Sequence, residues 1–343
     1  MYLNKTLNFN YLENSLHKIS EEALTYLAKI KEGNMPFLSK AITLIESNHT
    51  KHLALSQQII KNCLPYAGNS LRIGITGVPG VGKSTFIEVF GNLLTTKGKK
   101  VAVLAIDPSS SIHNGSILGD KTRMETLVQN PHVYIRPSAS GGNLGGVAKK
   151  TRETIILCEA AGFDIILVET VGVGQSEITL HSMVDFFLLL QLANAGDELQ
   201  GIKRGIMEMC DAVVINKADG DNKKAAQIAQ QNFINALHLY TEKNNQWQPK
   251  VLTCSAIENT GIEEIWQMLD SFTQLTNSNN SFILKRQNQE QFWLFETLNN
   301  ALKDRFYNNP KVKKALKEQL ALINQKKTTP YEVASYLLDL SNL

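Results

Sequence analysis

From Leu71 onward the chain repeats one pattern: a short, mainly apolar run, then Gly, Asp or Asn, then a stretch with apolar residues at helical spacing. The runs are Leu71–Thr76, Val101–Ile106, Ile165–Val168, Phe186–Leu192, Val213–Ile215 and Val251–Thr253. Runs apolar on both faces and separated by helices predict an α/β fold around a mostly parallel sheet covered on both sides. The polar residues closing each run then fall at the C-terminal ends of the strands, where an open α/β sheet receives its ligand.

The flanks read differently. Between Tyr11 and Pro65 the apolar positions Ala23, Leu24, Leu27, Ile30, Ile42 and Ile45 recur at helical spacing, with a break at Gly33 to Pro36. Beyond Leu269 the polar stretch Thr276 to Ser281 reads as a linker. After it, Phe292–Leu302, Val312–Leu322 and Tyr331–Leu340 are amphipathic and helical, too thin for a core of their own, and expected to pack on the main domain or on a second copy of the chain. The expected organisation is an N-terminal helical extension over 1–68, the nucleotide-binding domain over 69–272 and a C-terminal helical arm over 273–343.

Composition adds mainly exclusions. The 343 residues carry 35 Lys plus Arg against 32 Asp plus Glu, a formal charge of +3 too balanced to argue for nucleic acid. The short basic stretches Lys97 to Lys100 and Lys149-Lys150 read as solvated charges. Cys63, Cys158, Cys210 and Cys254 are scattered and form no C-x-x-C pair, so they read as reduced core residues rather than a disulfide framework or zinc site. His49 and His52 could share a helix face but have no further ligand nearby, and read as surface histidines. The N-terminus lacks the apolar core of a signal peptide, and no run approaches the roughly 18 apolar residues that span a bilayer. A soluble cytoplasmic protein is expected, with neither nucleic acid nor membrane as partner.

The strongest chemical signal is Gly77-Val78-Pro79-Gly80-Val81-Gly82-Lys83-Ser84, followed by Thr85, directly after one apolar strand and before a helical stretch. This is the G-x-x-x-x-G-K-[ST] phosphate loop in the context it requires. Its glycines turn backbone N–H groups toward phosphate oxygens, Lys83 reaches the β- and γ-phosphates, and Ser84 ligates Mg²⁺. Asn216-Lys217-Ala218-Asp219 follows the strand Val213–Ile215 and supplies N-K-x-D. The Asp219 carboxylate can accept from guanine N1–H and the 2-amino group; against adenine it would stay unpaired, at a cost of roughly a few kcal/mol. Ser255-Ala256-Ile257 follows Val251–Cys254 and fits a loop touching guanine O6. The ligand expected is therefore GTP or GDP.

Three acids compete for the metal: Asp107 after Val101–Ile106, Asp120 in Gly119-Asp120-Lys121-Thr122-Arg123, and Glu169 after Ile165–Val168. A hard cation bridging phosphates needs only one or two carboxylates. Glu169 opens Glu169-Thr170-Val171-Gly172 and stands where D-x-x-G has its aspartate, while for Asp120 a surface loop charge is the lesser alternative. Lys83, Asp107 and Glu169 are the candidate catalytic residues. The glycine-dense segments Gly141 to Gly146 and Gly172 to Gln175 fit nucleotide-sensing switches and equally fit plain flexible loops.

These motifs resemble one family, the MeaB, ArgK and MMAA GTPases associated with methylmalonyl-CoA mutase. The resemblance is carried by Asp107-Pro108-Ser109-Ser110-Ser111, Gly115 to Met124, Gly145-Gly146-Val147-Ala148, Glu169 to Glu177, and Ala195-Gly196-Asp197-Glu198-Leu199-Gln200-Gly201-Ile202-Lys203. It is dense over residues 70 to 260 and looser at the ends. The resemblance implies a SIMIBI-class P-loop GTPase with Mg²⁺ contacts through Ser84, Asp107, Asp120 and Glu169, and a C-terminal arm that makes a homodimer. It also implies a third switch over Ala195–Lys203, with Asp197 and Lys203 relaying nucleotide state to an adenosylcobalamin-dependent mutase, methylmalonyl-CoA mutase by resemblance. There GTP binding and hydrolysis gate cofactor loading and protection. The chain departs from the family at Ala193-Asn194, where Pro-Gly is usual. Gln175 stands three residues after Gly172, which leaves the water-positioning residue unassigned.

Three rivals are weighed against this GTPase chaperone. A nickel metallochaperone GTPase would need a His-rich tract or a Cys pair, which the sequence lacks. An ATP-dependent kinase should lack N-K-x-D, and a non-hydrolysing adaptor should release no phosphate.

Overall fold

The computed structural model describes residues 20–47, 49–106, 124–137, 144–170, 176–193, 204–240 and 245–341. Three helices come first: α1 (Glu21–Lys31), α2 (Met35–Glu46) and α3 (Thr50–Cys63), then a 3₁₀ turn at Leu64–Tyr66. The alternating part follows as β1 (Leu71–Gly77), α4 (Lys83–Thr96), β2 (Val101–Ile106), α5 (Glu125–Val128), β3 (Val133–Arg136), α6 (Leu144–Ala160), β4 (Ile165–Thr170) and α7 (Ser176–His181). It continues through β5 (Phe186–Leu192), α8 (Arg204–Met209), β6 (Ala212–Asn216), α9 (Asn222–Leu237), β7 (Lys250–Thr253) and α10 (Ile262–Ser278). The chain ends on α11 (Ser281–Asn308), α12 (Pro310–Asn324) and α13 (Pro330–Ser341).

Local chemistry starts these helices where they start. The Ser20 side chain accepts from Ala23 N and Asn34 accepts from Phe37 N, so α1 and α2 begin on satisfied N–H groups, α2 with Pro36 in its first turn. Glu21 and Glu22 open α1 and Lys29 and Lys31 close it, matching the helix dipole.

The seven strands form one sheet in the order β3-β2-β4-β1-β5-β6-β7. Every pairing in it is parallel. Six of these strands are legible as apolar runs; β3, Val133-Tyr134-Ile135-Arg136, is not, because it is an edge strand of four residues with a charge at its end. One face carries the main core, in which Phe86 and Phe90 of α4, Ile73 and Ile75 of β1, and Phe272 of α10 are fully buried or nearly so. Trp247, Phe186 and Phe272 meet edge-on with centroids 4.8–6.3 Å apart. On the other face Gly74 admits Leu180 and Val184; a Cβ there would lie 2.9 Å from each.

The N-terminal helices belong to the same compact unit as the sheet, Met1–Lys285. The Glu159 carboxylate, on α6, accepts from Gly68 N, Ser70 Oγ and both Nε and Nη2 of Arg72 at 2.6–2.9 Å. That cluster ties the segment between α3 and β1 to α6. Gln57 donates to Glu153 at 3.2 Å, and Arg136 at the end of β3 pairs with Glu46 at the end of α2. Lys150, expected to be solvated, instead donates to the Glu46 carbonyl at 2.5 Å, because the last turn of α2 offers unpaired carbonyls there. The four cysteines are buried and none is in a disulfide, as their apolar neighbours suggest. His52 Nδ1 bonds Ser47 Oγ at 2.8 Å and His49 caps α3, ordinary roles for helix-end histidines.

The polar stretch expected to be a linker is instead the end of α10, with Thr276 buried, and a two-residue turn at Asn279-Asn280. Asn280 takes φ +61°, which asparagine tolerates, so α11 restarts at once. The second compact unit is Arg286–Leu343. It buries Val312, Ala315, Val333 and Leu337, while α11 buries nothing and exposes Leu294, Phe295, Leu298 and Leu302. Among the described residues no helix is long and apolar enough to cross a membrane.

Candidate nucleotide-binding site

β1 delivers the phosphate loop. Gly77 lies against β5 so closely that a Cβ would stand 2.5 Å from the Leu190 carbonyl oxygen. Gly82 caps α4 at φ +92°, where a Cβ would meet Asn216 Nδ2 at 2.8 Å, so both positions need glycine. The first turn of α4 then presents its N–H groups and positive dipole end at the loop. Pro79, Gly80 and Thr85 are exposed, Val78, Lys83 and Ser84 are half-buried, and Val81 is buried in the core.

Lys83 Nζ donates to the carbonyls of Gly77 (2.8 Å) and Val78 (3.4 Å), the latter shared with Val81 N. Burial lowers its pKa, and the nearby Glu169 carboxylate opposes that shift. Glu169 is itself buried at the end of β4. Thr76 and Thr170, beside it on the opposite face, join hydroxyl to hydroxyl at 2.9 Å.

The base-reading end is assembled from β6 and β7. Asn216 Nδ2 donates to Val81 O and Lys217 Nζ to Gly80 O, both at 2.8 Å, so N-K-x-D is bolted to the phosphate loop. Lys217 pays for this with φ +59°. Ser255 Oγ donates to Asp219 Oδ2 at 2.5 Å and accepts from Glu258 N at 3.0 Å. Asp219 Oδ1 has no protein partner among the described residues. Ser255 and Ala256 are buried, whereas Ile257 is 80% exposed beside them.

The structure thus brings together Gly77 through Thr85, Glu169, Asn216, Lys217, Asp219 and Ser255 through Ile257. Asp107, Asp120, Asp197 and Lys203 lie outside the described residues, as do residues 141–143 and 172–175 of the glycine-dense segments. Among the described residues no group of three or more His, Cys, Asp or Glu could hold a metal by itself. A nucleotide-borne Mg²⁺ does not need one: it takes one or two protein oxygens, and the Ser84 hydroxyl and Glu169 carboxylate are hard donors of that kind.

Sequence reading missed two contributions. The Ser255 hydroxyl orients the Asp219 carboxylate, beyond supplying backbone to a loop. Cys254, read as plain core, reaches Asn216 Oδ1 at 3.4 Å through Sγ. Both lie at the end of a strand neighbouring β6, but only pairing of β6 with β7 shows that they face N-K-x-D.

A phosphate loop on the central strand of a parallel sheet, locked to N-K-x-D one strand beyond its neighbour, defines a P-loop nucleotide-binding protein of the GTPase class. The family profile described as "Methylmalonyl Co-A mutase-associated GTPase MeaB" matches residues 38–311. The chain belongs to that family. It is 46% identical to a probable GTPase of Mycobacterium tuberculosis over 92% of this chain and 94% of that one. It is 50% identical to the GTPase ArgK of Escherichia coli over 78% of this chain and 81% of that one. A solved structure titled LAO/AO transport system kinase superposes with a TM-score of 0.77 and 38% identity, covering 95% of this chain and all of that one.

Proposed function

We propose that the protein hydrolyses GTP to GDP and phosphate with Mg²⁺, and that it uses this cycle in the cytoplasm to gate adenosylcobalamin loading and protection of a cobalamin-dependent mutase, methylmalonyl-CoA mutase or a relative. The observation that carries the guanine reading is Asp219, held by Ser255 with one carboxylate oxygen left over, beside a lysine already laid along the phosphate loop. Family membership supports the mutase.

In this reading Lys83 leaves the Gly77 carbonyl for the β- and γ-phosphate oxygens, a short transfer between acceptors that needs no new burial. The backbone N–H groups of the loop and of α4 hold the remaining charge, which is where most of the acceleration of phosphoryl transfer comes from. Ser84, Glu169, Asp107 and Asp120 would hold a Mg²⁺, which when bound would supply charge neutralisation on the transferring phosphate. Ile257 covers the base once it is bound. Asp197 and Lys203 report nucleotide state to the mutase, and the apolar side of α11 joins two copies into a homodimer.

The experiment is GTP turnover with and without the mutase, in the wild type and in Lys203→Ala. The wild type should be stimulated; the variant should keep its basal rate within about threefold and lose the stimulation. ATP used as readily as GTP would refute the guanine reading. Phosphate transferred to a protein or small molecule rather than released would favour a kinase.

A further inference from the structure

The seam between β1 and β4 opens before either strand ends. Their pairing stops at Ile75↔Glu169, yet β1 stays paired with β5 to Gly77↔Leu190, and β4 with β2 to Ile106↔Thr170. The sheet therefore parts into a half that bears the phosphate loop and N-K-x-D and a half that bears Glu169. Lys83 opens the helix after the phosphate loop on the first half, and Glu169 lies near the end of β4 on the second, close enough for its charge to act on the Lys83 ammonium.

One side-chain bond crosses the seam just past the last backbone pair: Thr76 Oγ1 to Thr170 Oγ1, 2.9 Å, with the two residues 1% and 0% exposed. Each threonine directly follows a member of the last pair. Two hydroxyls carry two protons, and a single bond between them uses one. Burying two hydroxyls takes both out of water at a cost that their shared bond only about offsets, so the pair calls for a reason. Two valines would fill the same space with no such cost. We propose that the Thr76–Thr170 hydroxyl pair is a positioning device that sets the spacing between Lys83 and Glu169, and so decides how well the site recognises the γ-phosphate and how fast it is released as phosphate. The inference deepens the GTPase reading and rests on it.

The physics of paired polar groups supplies a clean test. Thr76→Val or Thr170→Val alone strands the surviving hydroxyl and should lower the melting temperature of the full-length protein. The double variant removes both polar groups and should recover it. If the pair positions the site, the double variant nevertheless keeps a loss of about tenfold in kcat with KM within about twofold. Its affinity for a non-hydrolysable GTP analogue should also fall relative to GDP, measured by fluorescence titration. Thr76→Ser and Thr170→Ser keep the hydroxyl and should stay near wild type. Recovery of kcat together with stability in the double variant would overturn the proposal, as would serine variants as impaired as the valines. A wild type that hydrolyses no GTP would instead overturn the proposed function, and the analogue-to-GDP ratio would still decide the role of the pair.

Discussion

The two ends of the sheet use charged residues in opposite ways. At the N-terminal end of the strands the acids are used up. Asp185 Oδ2 accepts from Arg72 N, Asp211 Oδ2 from Phe187 N and Asp164 Oδ2 from Lys100 N, each capping a backbone N–H where a strand begins. The Asp185 carbonyl takes Lys285 Nζ at 2.6 Å, and the Asp211 carbonyl takes Trp247 Nε1. Glu159 is sheathed by four donors. At the C-terminal end the partners are provisional. Lys83 and Lys217 rest on carbonyls of the phosphate loop, and Asp219 keeps one oxygen in reserve. Charge satisfied by its own chain holds the fold; charge satisfied only loosely waits for a ligand. Substitutions at the two ends should accordingly separate stability from activity.

The largest effect expected is at Lys83. Lys83→Ala should cut GTP hydrolysis by about 10²- to 10³-fold and weaken nucleotide binding, since it removes a donor aimed at transferring charge. It should leave the melting temperature unchanged or raised, because a half-buried ammonium is removed along with two main-chain contacts of modest worth. A large drop in melting temperature would break the contrast between the two ends. The mirror case is Glu159→Ala, which strands Arg72 with its side chain 17% exposed. Breaking a buried pair costs about 3–5 kcal/mol, so chemical denaturation should show a stability loss of that order. Hydrolysis per folded molecule should stay near wild type.

Asp219→Asn is expected to be a smaller perturbation, confined to the base. Its amide suits the xanthine edge, so GTP affinity should fall by about 2 kcal/mol while XTP binding improves. Competition titrations measure both. A variant that weakens both nucleotides equally would mean that Asp219 serves the loop rather than the base.

The smallest effect is a pH dependence in which binding and stability run in opposite directions. Burial lowers the pKa of Lys83 below the ordinary lysine value of 10.5, with Glu169 partly opposing the shift. Without nucleotide, the unfolded state then binds the proton more tightly than the native state. Stability contributed by this group therefore rises with pH between the lowered native value and 10.5, and is lost as pH falls through the native value. Nucleotide binding needs the charged ammonium, so affinity should fall with pH over the same window. Fluorescent GDP titrations and melting curves across alkaline pH check the two slopes, and Lys83→Ala should flatten both.

Much of this was legible from residue order. The six apolar runs announced strands because a strand buried on both faces is apolar at most of its positions. The phosphate loop and N-K-x-D were legible because their chemistry is packed into contiguous residues, each needed at a fixed spacing. The family resemblance rested on longer segments of the same kind. The edge strand β3 was not legible, since four residues ending in Arg136 have no periodicity to show. Nor was the continuity of α10 through Thr276: its Asn/Ser-rich surface reads as linker unless the burial of Phe272 and Thr276 on the opposite side is known.

Sequence by itself determined which residues could touch phosphate and guanine, because those roles depend on side-chain type and on neighbours along the chain. Tertiary structure decided which of them are held in place and by what. Ser255 orients Asp219 from 36 positions away, Asn216 reaches Val81 across 135, and Thr76 meets Thr170 across 94. No local pattern encodes such pairs. They exist because parallel strands set side by side bring the ends of distant segments to one rim, and a buried polar group there must take whatever partner the register delivers.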